Sequence, residues 1–318
     1  MLKLVILSRD AHRYADLWSQ QHAIQDVTLL LSTAQPEDVI KHHQANEVSI
    51  LLADPDLAVH VIDHLPNLVW CQSAWAGNAP LLQHPKQDYM LSGVKGIFAQ
   101  LMSEYVLSYI LAHVRQHTSL RVLQTQRQWQ PPHIASISQI TIGILGLGHI
   151  ANGMLPVLAA LNANVIGLSR RATPPTDFTD IPMFTDAQRH EFIEQCDVLV
   201  NLLPDTQHTR EFITQDLIDG LSPQPRLFIN AGRGNVIADE ALLSALEQQV
   251  FVAAVLDVFT QEPLAPEHIF WHHPRITVTQ HTAAISVPDD VMQIFIDNLA
   301  RFTQGQTPHY IMNWEQGY

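Results

Sequence analysis

Three polar side chains late in the chain follow apolar runs and could together hold an anion and move a proton. Arg233 lies in Asn230-Ala231-Gly232-Arg233-Gly234, directly after the run Leu227–Asn230. A strand-end arginine among small residues can reach the crevice that open α/β sheets form at the carboxyl ends of their strands. There it can grip a planar carboxylate through two parallel hydrogen bonds. Glu262 follows Leu256-Asp257-Val258-Phe259 and precedes Pro263-Leu264, and His281 stands in Thr279-Gln280-His281-Thr282-Ala283-Ala284. With a carboxylate 19 positions before it, His281 can have one ring nitrogen held while the other faces a reactant. An imidazole of ordinary pKa, about 6.5, pushed toward its charged form by that carboxylate is a general acid at neutral pH.

Earlier in the chain, Gly143-Ile144-Leu145-Gly146-Leu147-Gly148-His149-Ile150-Ala151 places a glycine turn after the apolar run Ile140–Leu145 and before the helical run Ile150–Ala160. Gly146 allows a tight turn, and Gly148 lets the backbone approach a pyrophosphate held on the helix N-terminus. Ala151 takes the third small position, where helix and strand must pack closely. The next strand, Asn164–Leu168, ends in Ser169-Arg170-Arg171, about 20 residues beyond the turn. A carboxylate there would bind both ribose hydroxyls of NAD and repel a 2′-phosphate. A hydroxyl and two guanidinium groups favour the phosphate instead. The expected cofactor is therefore NADP(H), with NAD(H) second.

These residues need a sheet to position them, and the hydrophobic pattern supplies two. Leu2–Leu7, Val27–Leu31, Val48–Leu52 and Leu68–Cys71 form one strand series, with segments of helical length between them. Ile140–Leu145, Val165–Leu168, Val198–Leu202, Leu227–Asn230, Val252–Leu256 and Ile276–Thr279 form a second. Short apolar runs of this kind suit parallel strands covered on both faces, and two alternating series predict two α/β units. Gln100–Gln126 has helical spacing throughout and predicts one long helix bridging them. A last helical pattern spans Val291 to Phe302, and Pro156 predicts a kink or break in the helix after the glycine turn.

Composition narrows the class. The chain has 318 residues, enough for two domains, and its net charge of −14 with 17 basic residues argues against nucleic acid or an anionic membrane as partner. Cys71 and Cys196 suggest no disulfide framework and fit a reducing cytosol. The 18 histidines are scattered, and pairs such as His42-His43 lack the ligands that would complete a metal site. Met1–Leu7 reads as a buried first strand rather than a signal peptide, and no apolar run reaches the ~18 residues of a membrane span. The expectation is a soluble cytoplasmic protein without a metal.

The glycine turn, Asn230-Ala231-Gly232-Arg233-Gly234, Leu256-Asp257-Val258-Phe259 with Glu262-Pro263-Leu264, and His281-Thr282-Ala283 resemble, in order and approximate spacing, the motifs of the D-isomer-specific 2-hydroxyacid dehydrogenase family. The Glu262–His281 spacing, Ser169-Arg170-Arg171 and Trp129-Gln130-Pro131 are most similar to its short glyoxylate/hydroxypyruvate reductase branch. The resemblance implies two doubly wound parallel-sheet domains, a Rossmann cofactor domain (100–285) inserted into a flavodoxin-like substrate domain (1–99 and 286–318). It also implies a homodimer formed largely through the cofactor domains.

By the same resemblance, Arg233 binds the substrate carboxylate and carbonyl, His281 is the acid/base and Glu262 orients and charges it. Gly146, Gly148, His149, Ile150, Ser169, Arg170, Arg171, Leu203, Pro204, Ala231 and Asp257 would line the cofactor, with Leu203-Pro204 on the adenine side. Trp75, Ala76 and Gly77 fall in the loop that resembles the family's carboxylate-binding loop, where backbone N–H groups would face the substrate. Two departures stand out: Trp75 is bulky where many members carry a small residue, and Gln280 replaces the proline common before the histidine. The implied reaction is NADPH-dependent reduction of a small 2-oxo acid to a 2-hydroxy acid. A nicotinamide-sensing regulatory protein of the same fold, and an NAD-dependent phosphoglycerate- or formate-type dehydrogenase, are the alternatives.

Overall fold

The computed structural model describes residues 1–21 and 26–315, and the chain divides into two compact units, Met1–Ile97 with Ser286–Tyr318, and Phe98–Ile285. In the first unit, β1 (Leu2–Leu7), β2 (Val27–Thr33), β3 (Ile50–Ala53), β4 (Trp70–Ser73) and β5 (Met90–Ser92) form a parallel sheet ordered β2-β1-β3-β4-β5. This is the flavodoxin-like order, with its switch point between β1 and β3. The helix Pro288–Thr303 belongs to this unit. Its Phe295 stacks on Trp70 at 5.4 Å, and Asn298 bonds the buried Gln72 at 2.9 Å.

The second unit holds β6 (Thr141–Leu145), β7 (Asn164–Leu168), β8 (Met183–Phe184), β9 (Val198–Asn201), β10 (Arg226–Asn230), β11 (Phe251–Leu256) and β12 (Ile276–Val278). All pair in parallel, in the order β12-β11-β10-β9-β6-β7-β8. The order reverses between β6 and β9, which defines a doubly wound sheet of Rossmann type. Alternate residues of each strand serve opposite faces. Leu145, Leu199, Phe228 and Leu256 enter one buried cluster, whereas Ile144, Val200, Ile229 and Val255 enter the other. Each such side chain contributes about 1.5–3 kcal/mol on burial, so the core sets the strand register and the loops follow from it.

The structure differs from the sequence pattern in two helices. The expected helix over Gln100–Gln126 is two helices, Ala99–Val114 and His117–Thr125, because Gln116 adopts a left-handed φ of 57°. Only the first buries side chains, among them Met102, Val106 and Ile110, while the second buries none. Packing thus ends the first helix where periodicity alone continues it. The helix His149–Ala160 runs through Pro156 without a break. Pro156 lies on the exposed side, where water can satisfy the carbonyl that its missing N–H leaves free. The short strands β5 and β8 have no clear sequence signature, since each is at most three residues long.

Candidate active site

The turn after β6 has the geometry that a dinucleotide cradle requires. Gly146 sits at φ +90°, and a Cβ there would meet the backbone of Leu202 and Leu203 at 3.1 Å. A larger residue would push apart the ends of β6 and β9 at the switch point. At Gly148 a Cβ would meet only the Gly146 carbonyl oxygen, 4.0 Å away, so the space over the turn is open. Gly148 also caps the helix His149–Ala160 without any side-chain cap bond, which leaves the first N–H groups to a ligand. His149 is exposed, Ile150 half-buried and Ala151 buried. Gly153, one turn further, lets the helix Ala99–Val114 approach, since a Cβ there would lie 2.3 Å from Ala99 Cβ.

At the end of β7, Ser169 donates its backbone N–H to Phe184 O at 3.1 Å, and Arg170 and Arg171 are exposed. Among the described residues neither arginine is in an ion pair. Leu203 is buried and its N–H bonds Asn201 Oδ1, whereas Pro204 is exposed.

Two buried asparagines shape the loops around Arg233. Asn201, the last residue of β9, donates to Asn230 Oδ1 at the end of β10, at 2.8 Å. The same Asn230 oxygen accepts the Gly232 N–H at 3.3 Å, and Asn230 Nδ2 donates to the Arg233 carbonyl at 3.1 Å. Ala231 is half-buried beside this knot, and the half-buried Arg233 donates from Nη1 to the Gly232 carbonyl at 2.7 Å. Gly232 must lack a side chain, because a Cβ would meet Asn201 Nδ2 at 2.7 Å.

Glu262 and His281 meet. His281 Nδ1 and Glu262 Oε2 are 2.7 Å apart, and Glu262 Oε1 accepts the Phe259 N–H at 2.9 Å. The hydrogen bond to Glu262 raises the histidine above its usual pKa against a smaller opposing effect of desolvation. The charges of Glu262 and Asp257 add to the rise, and that of Arg233 opposes it. Burial pushes the Glu262 carboxyl up, but the bonds from His281 and Phe259, with the charges of His281 and Arg233, bring it below its usual range. With Nδ1 engaged, Nε2 is the ring atom left for a reactant.

Asp257 is almost fully buried, and its carboxylate is occupied by the chain itself. It accepts Thr279 Oγ1 and Thr282 N–H on Oδ1, at 2.6 and 2.7 Å, and Ala283 N–H on Oδ2 at 2.9 Å. Its carbonyl takes the His281 N–H at 2.6 Å. The residue therefore organises the histidine loop, whose Gln280 and His281 both have left-handed φ, 61° and 58°.

Trp75, Ala76 and Gly77 follow β4 in the first unit. Trp75 is half-buried, its N–H donating to Ser73 Oγ at 3.1 Å, and the Arg9 guanidinium lies 5.4 Å above its ring. Arg9 is in turn held by the buried Asp54 at 3.2 Å and by Asp56 at 2.6 Å. Sequence reasoning missed Arg9 and Asp54. Their chain separation hides the pairing, although both follow the strands that flank this sheet's switch point. It also missed Asn201, Tyr105 and Thr279, which are ordinary residues until the fold joins them. Among the described residues there is no cluster of metal-ligating side chains and no helix long and apolar enough to cross a membrane.

Comparison with known proteins follows the same lines. A family model described as the NAD-binding domain of D-isomer specific 2-hydroxyacid dehydrogenases matches residues 107–283. Glyoxylate/hydroxypyruvate reductase A of Serratia proteamaculans is 39% identical over 221 residues, 69% of either chain. Among solved structures, a D-isomer specific 2-hydroxyacid dehydrogenase family protein of Aeromonas salmonicida superimposes with a TM-score of 0.91. It is 34% identical, with 98% of this chain and 99% of that one covered. An NADPH-dependent glyoxylate/hydroxypyruvate reductase of Sinorhizobium meliloti, solved with NADP and sulfate, gives a TM-score of 0.84 at 27% identity over the whole of both chains.

Proposed function

The chain belongs to the D-isomer-specific 2-hydroxyacid dehydrogenase family, and from that premise we propose that it is an NADPH-dependent reductase of small 2-oxo acids, glyoxylate and hydroxypyruvate foremost. The observation that carries this reading is the Glu262–His281 pair, a proton donor held at 2.7 Å in the same unit as the dinucleotide turn and Arg233.

The residues present suit the cofactor. The open space over Gly148, the uncapped helix start at His149, and Arg170 and Arg171, which are in no ion pair among the described residues, would receive the pyrophosphate and the 2′-phosphate. When bound, the reduced nicotinamide supplies the hydride to the carbonyl carbon. The chain's own residues do the rest. Arg233 binds the substrate carboxylate and polarises the carbonyl. His281 gives the proton on Nε2 to the carbonyl oxygen, and Glu262 holds Nδ1 and stabilises the imidazolium before that transfer. Ala231, Leu203 and Pro204 are assigned to the cofactor, and the backbone N–H groups of Ala76 and Gly77 to the substrate carboxylate, with Trp75 restricting substrate size. Asp257 contributes through the loop that it organises.

The same reading includes a cytoplasmic homodimer. Leu120, Val122 and a wholly exposed Trp129 leave apolar surface on the second unit that a second copy would cover. Light scattering on the purified chain tests this, and a monomeric mass would reject it.

Steady-state kinetics with glyoxylate, hydroxypyruvate, pyruvate and a larger 2-oxo acid, each with NADPH and NADH, test the function. The expected result is turnover of the small acids with kcat/KM higher for NADPH. Absence of turnover with all of them would reject the proposal.

A further inference from the structure

We propose that Tyr105 is a positioning residue for His281, acting through the Thr279 hydroxyl and the Asp257 carboxylate. The inference rests on the acid/base role assigned to His281 above.

Tyr105 lies on the helix Ala99–Val114, and its hydroxyl is 2.8 Å from Thr279 Oγ1, just beyond β12. Thr279 Oγ1 donates to Asp257 Oδ1 at 2.6 Å. A hydroxyl has one hydrogen, so Thr279, having committed its own to Asp257, can only accept from Tyr105. The direction of the relay is thereby set, from Tyr105 to Thr279 to Asp257. Burial raises the phenol pKa well above its usual value, which keeps Tyr105 protonated as the donor. The Tyr109 ring packs edge-on against Tyr105 at 5.0 Å and restricts the phenol.

The end of this relay brackets the histidine. Asp257 accepts the Thr282 and Ala283 N–H groups with its carboxylate and the His281 N–H with its carbonyl. Such a clamp is needed here. Gln280 and His281 occupy the left-handed region consecutively, at φ 61° and 58°, which residues with side chains sustain only where the surroundings over-determine them. A proline, fixed near φ −65°, could not adopt the Gln280 conformation. The loop is thus held by hydrogen bonds rather than by a ring, and Tyr105 is their outermost anchor, on a helix packed into the core through Met102, Val106 and Ile110. The charged groups acting on the imidazole are Glu262, Asp257 and Arg233. Loosening the loop weakens the Glu262 bond first, because that bond depends on where the ring is held.

The test compares Tyr105→Phe, Thr279→Val, Thr279→Ser and the Tyr105→Phe/Thr279→Val double variant in the full chain. One readout is the NMR titration of the His281 ring without substrate, assigned against His281→Ala. The other is kcat set against the KM for NADPH. In Tyr105→Phe, His281 is expected to titrate at lower pH than in the wild type. Its kcat should fall about tenfold while the KM for NADPH stays within about twofold, as for a misplaced but intact catalytic group. Thr279→Ser should restore what Thr279→Val loses, and the double variant should be no worse than Thr279→Val, because both act through one relay. A wild-type titration and kcat in Tyr105→Phe, a Thr279→Ser variant as impaired as Thr279→Val, or additive losses in the double variant would each overturn the proposal. If Tyr105→Phe does not fold, the Thr279 pair decides it. If the wild type reduces no 2-oxo acid, the reductase reading falls, and the His281 titration still decides the positioning.

Discussion

Asn201 and Asn230 end neighbouring strands, and their side chains are joined by a buried hydrogen bond of 2.8 Å, from Asn201 Nδ2 to Asn230 Oδ1. That bond couples the shape of the loop after β9 to that of the loop after β10. The same two side chains also hold Leu203 N–H, Gly232 N–H and the Arg233 carbonyl. Asn230→Ala would leave several of these groups buried and unpaired, at a cost of about 1–3 kcal/mol. Urea unfolding should show a lower midpoint at unchanged slope, together with a raised KM for the 2-oxo acid as Arg233 loses its placement. An unchanged midpoint would mean that the knot is dispensable.

Removing the guanidinium itself separates binding from folding. Arg233 is half-buried and forms no ion pair with a carboxylate among the described residues, so Arg233→Ala should leave stability nearly unchanged. Its kcat/KM for 2-oxo acids should fall at least ~10²-fold, about 3 kcal/mol of transition-state contact, with NADPH affinity intact. Near-normal turnover would remove Arg233 from the site.

The raised pKa of His281 gives the activity a definite direction with pH. In the proposed reaction reduction consumes the His281 imidazolium, so its rate should be full below the histidine's pKa and fall as pH rises through it. Oxidation of the hydroxy acid needs the neutral ring and rises over the same interval. Glu262→Gln removes the carboxylate that favours the charged form. The reductive profile should then move to lower pH while much of the geometry stays. His281→Ala should bind NADPH yet reduce substrate at least ~10²-fold more slowly. A profile that ignores both substitutions would assign the proton to another group.

Cofactor choice should reside in the end of β7. Each charge-assisted bond contributes about 1.5–3 kcal/mol, so Arg170 and Arg171 together could supply a ~10²–10⁴-fold preference for NADPH. Neutral replacements at both positions should weaken NADPH binding and barely alter NADH. Equal wild-type kcat/KM with the two cofactors would refute this assignment.

Two glycines should respond in opposite ways to alanine. At Gly234 a Cβ would fall 2.0 Å from the Phe259 carbonyl carbon, a backbone atom that cannot turn aside, so Gly234→Ala should lose at least about 3 kcal/mol of stability. At Gly148 the nearest atom is 4.0 Å away. Gly148→Ala should therefore fold normally and show its defect only as a raised Kd for NADPH. Thermal melts beside cofactor titrations distinguish the two. A normally stable Gly234→Ala, or unimpaired NADPH binding by Gly148→Ala, would contradict this contrast.

Both sheets and ten of the strands can be read from the chain because alternation and β-branched runs are local properties of covalent neighbours. The candidate site residues of the second unit stand out for a similar reason. Glycines at 146 and 148, the arginines after β7, Arg233, Glu262 and His281 sit at strand ends, where residue type and position in the chain already restrict what they can do. Two local expectations fail where packing has the stronger influence. Gln116 ends a helix within an unbroken periodic pattern, because only the preceding turns are buried, and Pro156 is accommodated because its face of the helix is wet.

Bonds between residues far apart in the chain have no local signature. Asn201 meets Asn230, Arg9 meets Asp54 beside Trp75, and Tyr105 reaches Asp257 through Thr279, only after parallel strands and their crossover helices have been stacked. The sequence by itself determined ten of the twelve strands, where the glycine turn falls and which side chains could hold phosphate, carboxylate or a proton. The tertiary structure alone decided how those side chains are held, including the left-handed pair at Gln280 and His281. The physical reason is that a side chain's reactivity is covalent and travels with it along the chain, whereas its orientation and the shift in its pKa arise from groups that only folding brings within hydrogen-bonding distance.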